Sequence, residues 1–375
     1  MTPGRLHVLQ IFQPQAGGVP TYVRHLSRGL VERGWRVTLA GPAAALDHEA
    51  IRGSGVELLP LELGRFPRLL ADRRAIRLLR RYASAHAVML VHAHSTKAGI
   101  VGGIAARSAR TRSVYTPHAW PFDMAAPWPV RRGCASIERW LCARYRDRVI
   151  AVCEHEREVA RRWRVCDGTP LTVVRTGLPE QSLPSRAQAR DELGLAHDQA
   201  VVAWVGRNAA QKRPQDLARL ALLLGADTIL VALGSGLAGT YEGTTLAVEG
   251  GRVLSPRTST STVYAAADVL VQTSAWEALP LAVLEGMQAG LPVVAYAAGG
   301  TTEEIVDGVS GHLVEIGDVA GLAEHARRLL VEGNDRRRMG ARASALARER
   351  FDYGRMLAEI DAVYRHELEI ADVAA

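Results

Sequence analysis

Between Asp268 and Glu303 lie thirty-four residues with only two formal charges, Glu277 and Glu285, both inside the stretch WEALPLAVLEGMQAGLPVV. An ionised carboxylate in apolar surroundings is costly unless it is paired or hydrogen-bonded, so each needs a partner in the chain or in a ligand. A second charged set follows another apolar run, where AVVAWVG leads into RNAAQKRPQD with Arg207 and Lys212. Of the 46 Lys and Arg residues only Lys97 and Lys212 are lysines, so the residue type at 212 is an uncommon choice for this chain. A planar guanidinium fork beside a compact ammonium suits a diphosphate that gathers charge as it leaves. A solvated basic helix start is the plainer alternative. The glycine pair Gly17 and Gly18 separates LHVLQIF from the helical pattern YVRHLSRGLVERG. It either lets the backbone approach a phosphate at a helix N-terminus or makes an ordinary strand-to-helix turn.

These residues need elements to hold them. Short apolar runs alternate with amphipathic helical patterns: LHVLQIF, WRVTLAG, VELLPL, AVMLVHA, SVYTPHA and RVIAV, then AVVAWVG, DTILVAL, DVLVQTS, LPVVAYA and GHLVEI. Such alternation predicts repeated βαβ units and parallel sheets. The polar stretch TGLPEQSLPSRAQARDELGLAHDQA divides the two series, which predicts two doubly wound α/β domains over 1–178 and 179–355, and a terminal helix over 356–375. Ligands of open parallel sheets bind outside the carboxyl ends of the strands, where Gly17, Gly18, Arg207 and Lys212 all fall. Pro280 favours a first helical turn, with Glu277 in the loop before it and Glu285 one to two turns inside. Taken singly, Glu277 could simply stabilise the helix start and Glu285 could pair with a buried arginine.

A chain of 375 residues exceeds the size of a single growing core, consistent with two domains. The net charge of +7 is unevenly spread: residues 1–180 carry 28 Lys and Arg against 14 Asp and Glu, the remainder 18 against 25. The basic half favours an acidic partner, a phosphate or an anionic membrane surface. With 5% aromatics and no nucleic-acid module, nucleic acid comes last. Cys134, Cys142, Cys153 and Cys166 lack metal-site or disulfide spacing and read as reduced thiols. The N-terminus has no signal-peptide pattern and no run has the character of a spanning helix, so a cytoplasmic protein is expected, at most peripheral to a membrane.

Four further signals are secondary. The segment RFPRLLADRRAIRLLRRYA predicts a helix with Leu69, Ile76, Leu79 and Ala83 on one face and arginines around it, either a membrane-docking helix or an ordinary crossover helix. Trp120, Phe122 and Trp128 form a possible acceptor surface, or simply pack. His92 and His94 lack a third metal ligand and suit a structural or acceptor-side role. GSGLAG at 234–239 imitates a dinucleotide fingerprint but opens no helical pattern.

The patterns GGVPTYVRHLSRGLVERGWRVTLAG, VGRNAAQK and WEALPLAVLEGMQAGLPVVAYAAGGTTEEIVDGVSGHLV resemble the retaining, nucleotide-sugar-dependent glycosyltransferases of family 4 over nearly the whole chain. That resemblance implies a GT-B fold, two Rossmann-like doubly wound parallel-sheet domains facing each other across a cleft, with the last helix crossing back to the first domain. It implies that Glu285 holds the nucleotide ribose and that Arg207 with Lys212 holds the diphosphate. Glu277 and the amides of Ala278 and Leu279 would grip the transferred sugar, Gly17 and Gly18 would serve the phosphates, and His118 in YTPHAW would lie beside donor sugar and acceptor. The donor would be a UDP-sugar, or a GDP-sugar, acting as co-substrate with no bound cofactor. The acceptor would be a lipid-linked saccharide, a polysaccharide or a small polar molecule. No Asp-x-Asp pair is present, so side-chain cations are expected to replace a metal. An epimerase or phosphorylase on the same architecture and a non-catalytic scaffold are the alternatives. Three segments depart from the family pattern: Ala278 stands where glycine is common, Thr176-Gly177-Leu178-Pro179 replaces a usual Asn-Gly turn, and VLSPRTSTSTVYAAAD, with Arg257, is atypical.

Overall fold

The computed structural model describes residues 6–46, 49–64, 66–234, 246–248, 251–254 and 258–374. Most of GSGLAG and Arg257 fall outside the described residues. Contacts divide the chain into two compact units, Met1–Gly177 with Tyr353–Ala375, and Leu178–Asp352.

The first unit contains β1 (His7–Phe12), α1 (Gly18–Glu32), β2 (Arg36–Gly41), α2 (Ala43–Leu46), β3 (Glu57–Pro60), α3 (Leu69–Ala85), β4 (Leu90–His94), α4 (Thr96–Ala109), β5 (Arg112–Thr116), α5 (Trp128–Tyr145), β6 (Arg148–Ala151), α6 (Glu154–Arg162) and β7 (Leu171–Val173), closed by α14 (Tyr353–Ala374). Its seven strands run in the order β3-β2-β1-β4-β5-β6-β7, all in parallel pairs. All six residues of β1 are buried, as expected of a strand covered on both faces. Register sets Gln10 beside His92 and Phe12 beside His94. Helix α14 is fastened by side chains: Trp35 Nε1 donates to Asp361 Oδ1 at 2.7 Å, and Arg148 Nε reaches Glu367 Oε1 at 2.5 Å.

The second unit contains α7 (Arg186–Glu192), β8 (Ala200–Val205), α8 (Gln215–Leu224), β9 (Thr228–Leu233), β10 (Leu246–Val248), β11 (Gly251–Leu254), α9 (Thr260–Ala266), β12 (Val269–Gln272), α10 (Leu281–Gln288), β13 (Val293–Tyr296), α11 (Thr301–Glu304), β14 (Gly311–Val314), α12 (Val319–Val331) and α13 (Gly333–Arg350). Strand order is β10-β11-β9-β8-β12-β13-β14, and only the β10–β11 edge pair is antiparallel. Alternation along β8 feeds two cores: Val202 and Trp204 pack with α8 and α12, and Val201 and Ala203 with α9, α10 and α13. Gly286 lets α10 lie close on β12, since a Cβ there would meet Leu270 Cδ2 at 2.4 Å. That approach fixes where both ends of α10 present their side chains.

Three local expectations are corrected. The run SVYTPHA is a strand only to Thr116, because the chain turns at Pro117 and His118 takes φ +51°. Leu69 is not on the buried face of α3, which is formed by Ala75, Leu79 and Ala83; the first turn of the helix stays uncovered and leaves Leu69 74% exposed. Trp120 and Phe122 are no acceptor surface: the loop after β5 folds back and buries both rings, stacked at 5.3 Å, in the core with Tyr115 and Val149. Trp128 does stay exposed. Among the described residues no helix is long and apolar enough to cross a membrane.

Candidate functional site

In the second unit the chain leaves β8 through Gly206, and Gly234 is needed beside it because a Cβ there would fall 1.5 Å from the Gly206 carbonyl. A short turn, Ala210–Lys212, follows. Its position is set from β12: Trp204 Nε1 donates to Thr273 Oγ1 at 2.9 Å, and that hydroxyl donates to the Lys212 carbonyl at 2.6 Å. The Ala275 amide donates to the Gln211 carbonyl at 2.8 Å. Two loops at the carboxyl ends of adjacent strands are thus held together, and their side chains meet.

Lys212 Nζ lies 2.5 Å from Glu277 Oε1, with both side chains nearly buried. Gln211 Nε2 donates to the other oxygen, Oε2, at 3.2 Å and to the Trp276 carbonyl at 3.0 Å. Arg207 Nη2 donates to Gln211 Oε1 at 3.2 Å, so Arg207, Gln211, Glu277 and Lys212 form one connected network. Glu277 therefore does not cap α10, whose N-cap is Pro280 with no side-chain bond. Gln211 was missed by sequence reading, since a neutral side chain next to Lys212 gives no signal of its own. Ala278 is absent from the residues with positive φ, so the turn does not require the glycine common in the resembling family. Beyond the network, Glu304 is fully buried and neither carboxyl oxygen has a hydrogen-bond partner among the described residues. Burial first, and then the charge of Glu277, hold its carboxyl well above the usual carboxylate range.

Glu285 sits further along α10, on a depression of about 190 Å³ that it shares with Glu180, Gln181, Gln288 and Arg348. Its partner is not an arginine: Tyr264 Oη donates to Glu285 Oε2 at 2.9 Å. Burial pushes the Glu285 carboxyl up to about 7, and the tyrosine bond only partly offsets that. A carboxyl poised there readily accepts hydroxyl donors.

The first unit carries a second group of residues. Gly17, with φ +104°, is the N-cap of α1, and Gly18 is the helix's first residue; no acidic side chain occupies the first turn. That φ favours glycine. His118 and Ala119 both take positive φ, +51° and +95°. For a side-chain-bearing residue this is strained and persists only where neighbours over-determine it. Here Glu156 does so, accepting from the Ala119 amide at 2.6 Å and from the Val152 amide at 2.8 Å. The turn delivers His118 Nε2 to His94 Nδ1 at 3.0 Å, with the Tyr22 ring edge-on to His118 at 4.7 Å. His94 Nε2 bonds to Gln10, and His92 bonds to Tyr364 and Thr116, so both imidazoles of the H-x-H pair are fully engaged by protein groups.

Comparison with known proteins places these two groups in context. Residues 16–181 match the family described as Glycosyltransferase Family 4, and residues 185–345 match Glycosyl transferases group 1. D-inositol 3-phosphate glycosyltransferase 1 of Catenulispora acidiphila is 31% identical over 399 aligned positions, covering 94% of this chain and 92% of that one. The Escherichia coli UDP-Gal:alpha-D-GlcNAc-diphosphoundecaprenol alpha-1,3-galactosyltransferase is 28% identical over 248 residues, 61% of this chain and 63% of that protein, so the match spans just under two thirds of its length. Among solved structures, sucrose-phosphate synthase from Thermosynechococcus elongatus superposes with a TM-score of 0.83 at 22% identity, over 96% of this chain and 99% of that one. Anabaena HepE in complex with UDP-glucose gives 0.79 at 21% identity, over 96% and 99%. At such identities the structural likeness carries the fold, GT-B.

Proposed function

The chain belongs to the GT-B glycosyltransferases of family 4, and from that membership we propose that it transfers a hexose, with retention and without a metal, from a UDP-sugar to an acceptor hydroxyl. The observation that carries this reading is the Arg207–Gln211–Glu277–Lys212 network at the carboxyl ends of β8 and β12, where parallel sheets receive their ligands. In the proposed reaction the bond between the sugar's anomeric carbon and the diphosphate oxygen breaks, and the acceptor oxygen bonds to that carbon on the same face. The acceptor's proton passes to the departing phosphate oxygen. Lys212 and Arg207 stabilise the diphosphate charge; Glu277, with the amides of Ala278 and Leu279, holds sugar hydroxyls. Gly17 and Gly18 keep their phosphate assignment, and His118 its place beside the reacting sugar.

The nucleotide is read as UDP because two relatives are described with UDP-linked sugars, one a galactosyltransferase and one bound to UDP-glucose. GDP is the second candidate. For the acceptor, the galactosyltransferase and the D-inositol 3-phosphate glycosyltransferase offer two chemistries, a diphosphoundecaprenol-linked sugar and an inositol phosphate. The lipid-linked class is supported by the start of α3, where Leu69 and Leu70, with Phe66 just before the helix, are more than 70% exposed beside exposed arginines. An amphipathic surface of that kind docks on anionic lipid. Leu69→Glu with Leu70→Glu is expected to weaken sedimentation with vesicles containing anionic phospholipid by about tenfold or more, with turnover of a water-soluble acceptor unchanged. Equal sedimentation of both proteins removes the membrane from the proposal.

Glu285 tests the donor site. At about a hundred times its dissociation constant, UDP should stabilise the wild type by about 2.7 kcal/mol without added metal, and should leave Glu285→Ala unmoved. A pH dependence follows from the carboxyl at about 7. Ribose hydroxyls donating to the carboxylate lower its pKa in the complex, so affinity is full above about 7 and is lost on acidification, approaching tenfold per pH unit. A UDP titration curve flat between pH 5 and 8, or equal stabilisation of both proteins, would remove Glu285 from the site.

A further inference from the structure

Six side chains of the first unit form one continuous line of hydrogen bonds, from half-buried His118 through buried His94, Gln10, Tyr364 and His92 to Thr116. They come from β1, the middle and end of β4, the end of β5, the turn after β5, and α14, so the terminal helix is wired to the turn that holds His118. We propose that Tyr364, acting through Gln10 and His94, fixes the proton of His118 on Nε2 and so makes its other nitrogen, Nδ1, a hydrogen-bond acceptor for a substrate hydroxyl. The identity of that hydroxyl rests on the glycosyltransferase reading; the position of the proton does not.

Each joint of the line needs one donor and one acceptor. Burial drives His92 and His94 well below the usual imidazole range and His118 to about 3, so all three rings are neutral and carry one N–H each. Gln10 donates from Nε2 to Tyr364 Oη at 2.9 Å and accepts at Oε1 from His94 Nε2 at 2.8 Å. With its proton on Nε2, His94 has a lone pair on Nδ1 and can only accept, at 3.0 Å, from His118 Nε2–H. Nδ1 of His118 is left bare, and no protein partner engages it among the described residues. On the other side the Tyr364 hydroxyl, already an acceptor, donates to His92 Nδ1 at 2.5 Å, and His92 Nε2–H donates to Thr116 Oγ1 at 2.8 Å.

The line has one other self-consistent arrangement. Turning the Gln10 amide over reverses every bond and moves the His118 proton to Nδ1. The phenol decides between them: it is a better acid than an amide, and imidazole nitrogen is a better base than an amide carbonyl. A phenolic O–H aimed at a ring nitrogen over 2.5 Å is therefore the favoured polarity. Tyr364 is fully buried and edge-on to Trp35 at 5.5 Å, so its hydroxyl cannot swing away.

Tyr364→Phe keeps that packing and removes the hydroxyl. The Gln10 amide N–H then has no acceptor, and turning the amide over relieves it, which carries the His118 proton to Nδ1. Long-range ¹H–¹⁵N correlation spectra of the full chain labelled at histidine, with His118 assigned through His118→Asn, read this directly. The wild type is expected to show a bare Nδ1 and a protonated Nε2, and Tyr364→Phe the reverse or an average. With a UDP-sugar and acceptor, the same substitution should lower kcat on the order of tenfold to a hundredfold and leave the donor KM within about twofold. Gln10→Glu, which when ionised can only accept, should keep His118 protonated on Nε2, and it serves as the second variant if Tyr364→Phe folds poorly. A wild-type Nδ1–H, a His118 signal unchanged by Tyr364→Phe, a shift to Nδ1–H in Gln10→Glu, or a moved proton with unchanged kcat each overturns the proposal. If no donor is turned over at all, the family-based reaction has failed, and the spectra still decide where the proton sits.

Discussion

Lys212→Met is expected to lower kcat by about 10² to 10³, the usual loss when a single preorganised group that stabilises leaving-group charge, the role proposed for Lys212, is removed. The substitution does a second thing that must be separated from the first. Lys212 is 2.5 Å from Glu277 in a nearly buried pair, so removing it leaves a carboxylate with only the Gln211 side chain bonded to it among the described residues. Breaking one side of such a pair typically costs about 3 to 5 kcal/mol of stability. Lys212→Met with Glu277→Gln removes both charges, and its stability is expected to return most of the way to the wild type. Its rate is expected to stay well below that of Glu277→Gln alone, because the cation proposed to meet the diphosphate is still missing. Measuring kcat and the unfolding midpoint on both variants and on Glu277→Gln separates the two roles. A double variant that recovered its rate along with its stability would mean that Lys212 only neutralises Glu277, and the diphosphate assignment would fall.

How far the site could be read in advance follows from which features leave a trace in the chain. Glu277, Lys212 and Arg207 were visible because a charge amid apolar residues, or a lysine in an arginine-rich chain, is costly or unusual enough to stand out. The strands were visible for the same reason in reverse: runs such as AVVAWVG and LPVVAYA are apolar on both faces because both faces are covered. The strands β7, β10 and β11 were not: LTV and LAV are only three residues long, and GRVL opens on a glycine and an arginine, so none stands out as an apolar run. Gln211, which joins Arg207 to Glu277, was invisible because a neutral amide costs little wherever it sits. The line from His118 to Tyr364 was hidden by distance: Gln10 and Tyr364 are 354 positions apart, and only register and the return of α14 bring them together. Trp120 and Phe122 misled because an aromatic in a loop reads alike whether it is displayed or folded under.

Glu138→Gln gives the largest expected loss of stability in the first unit, with no expected effect on nucleotide binding by the second. Arg146 and Glu138 are both essentially unexposed, their Nη1 and Oε2 atoms 2.6 Å apart, with the guanidinium 3.6 Å over the Tyr115 ring. Burial works against the charge of Arg146, and the Glu138 carboxylate overrides it and raises the guanidinium pKa. The pair is incompletely satisfied, since Arg146 Nε and Nη2 and Glu138 Oε1 have no partner among the described residues. An ion pair in that condition adds little net stability, yet losing one member strands the other in a dry core. Glu138→Gln should therefore cost about 3 to 5 kcal/mol, on the order of 10 °C in the unfolding midpoint of a unit this size. Glu138→Leu with Arg146→Met removes both charges and should equal or exceed the wild type. Stabilisation by UDP should persist in both variants, because Glu285, Lys212 and their partners, proposed to hold most of the nucleotide, belong to the other unit and only Gly17 and Gly18 are drawn from this one. A double variant no more stable than Glu138→Gln would mean that the charged pair itself holds α5 to Tyr115, and that the strain at His118 and Ala119, four residues beyond that ring at most, depends on it.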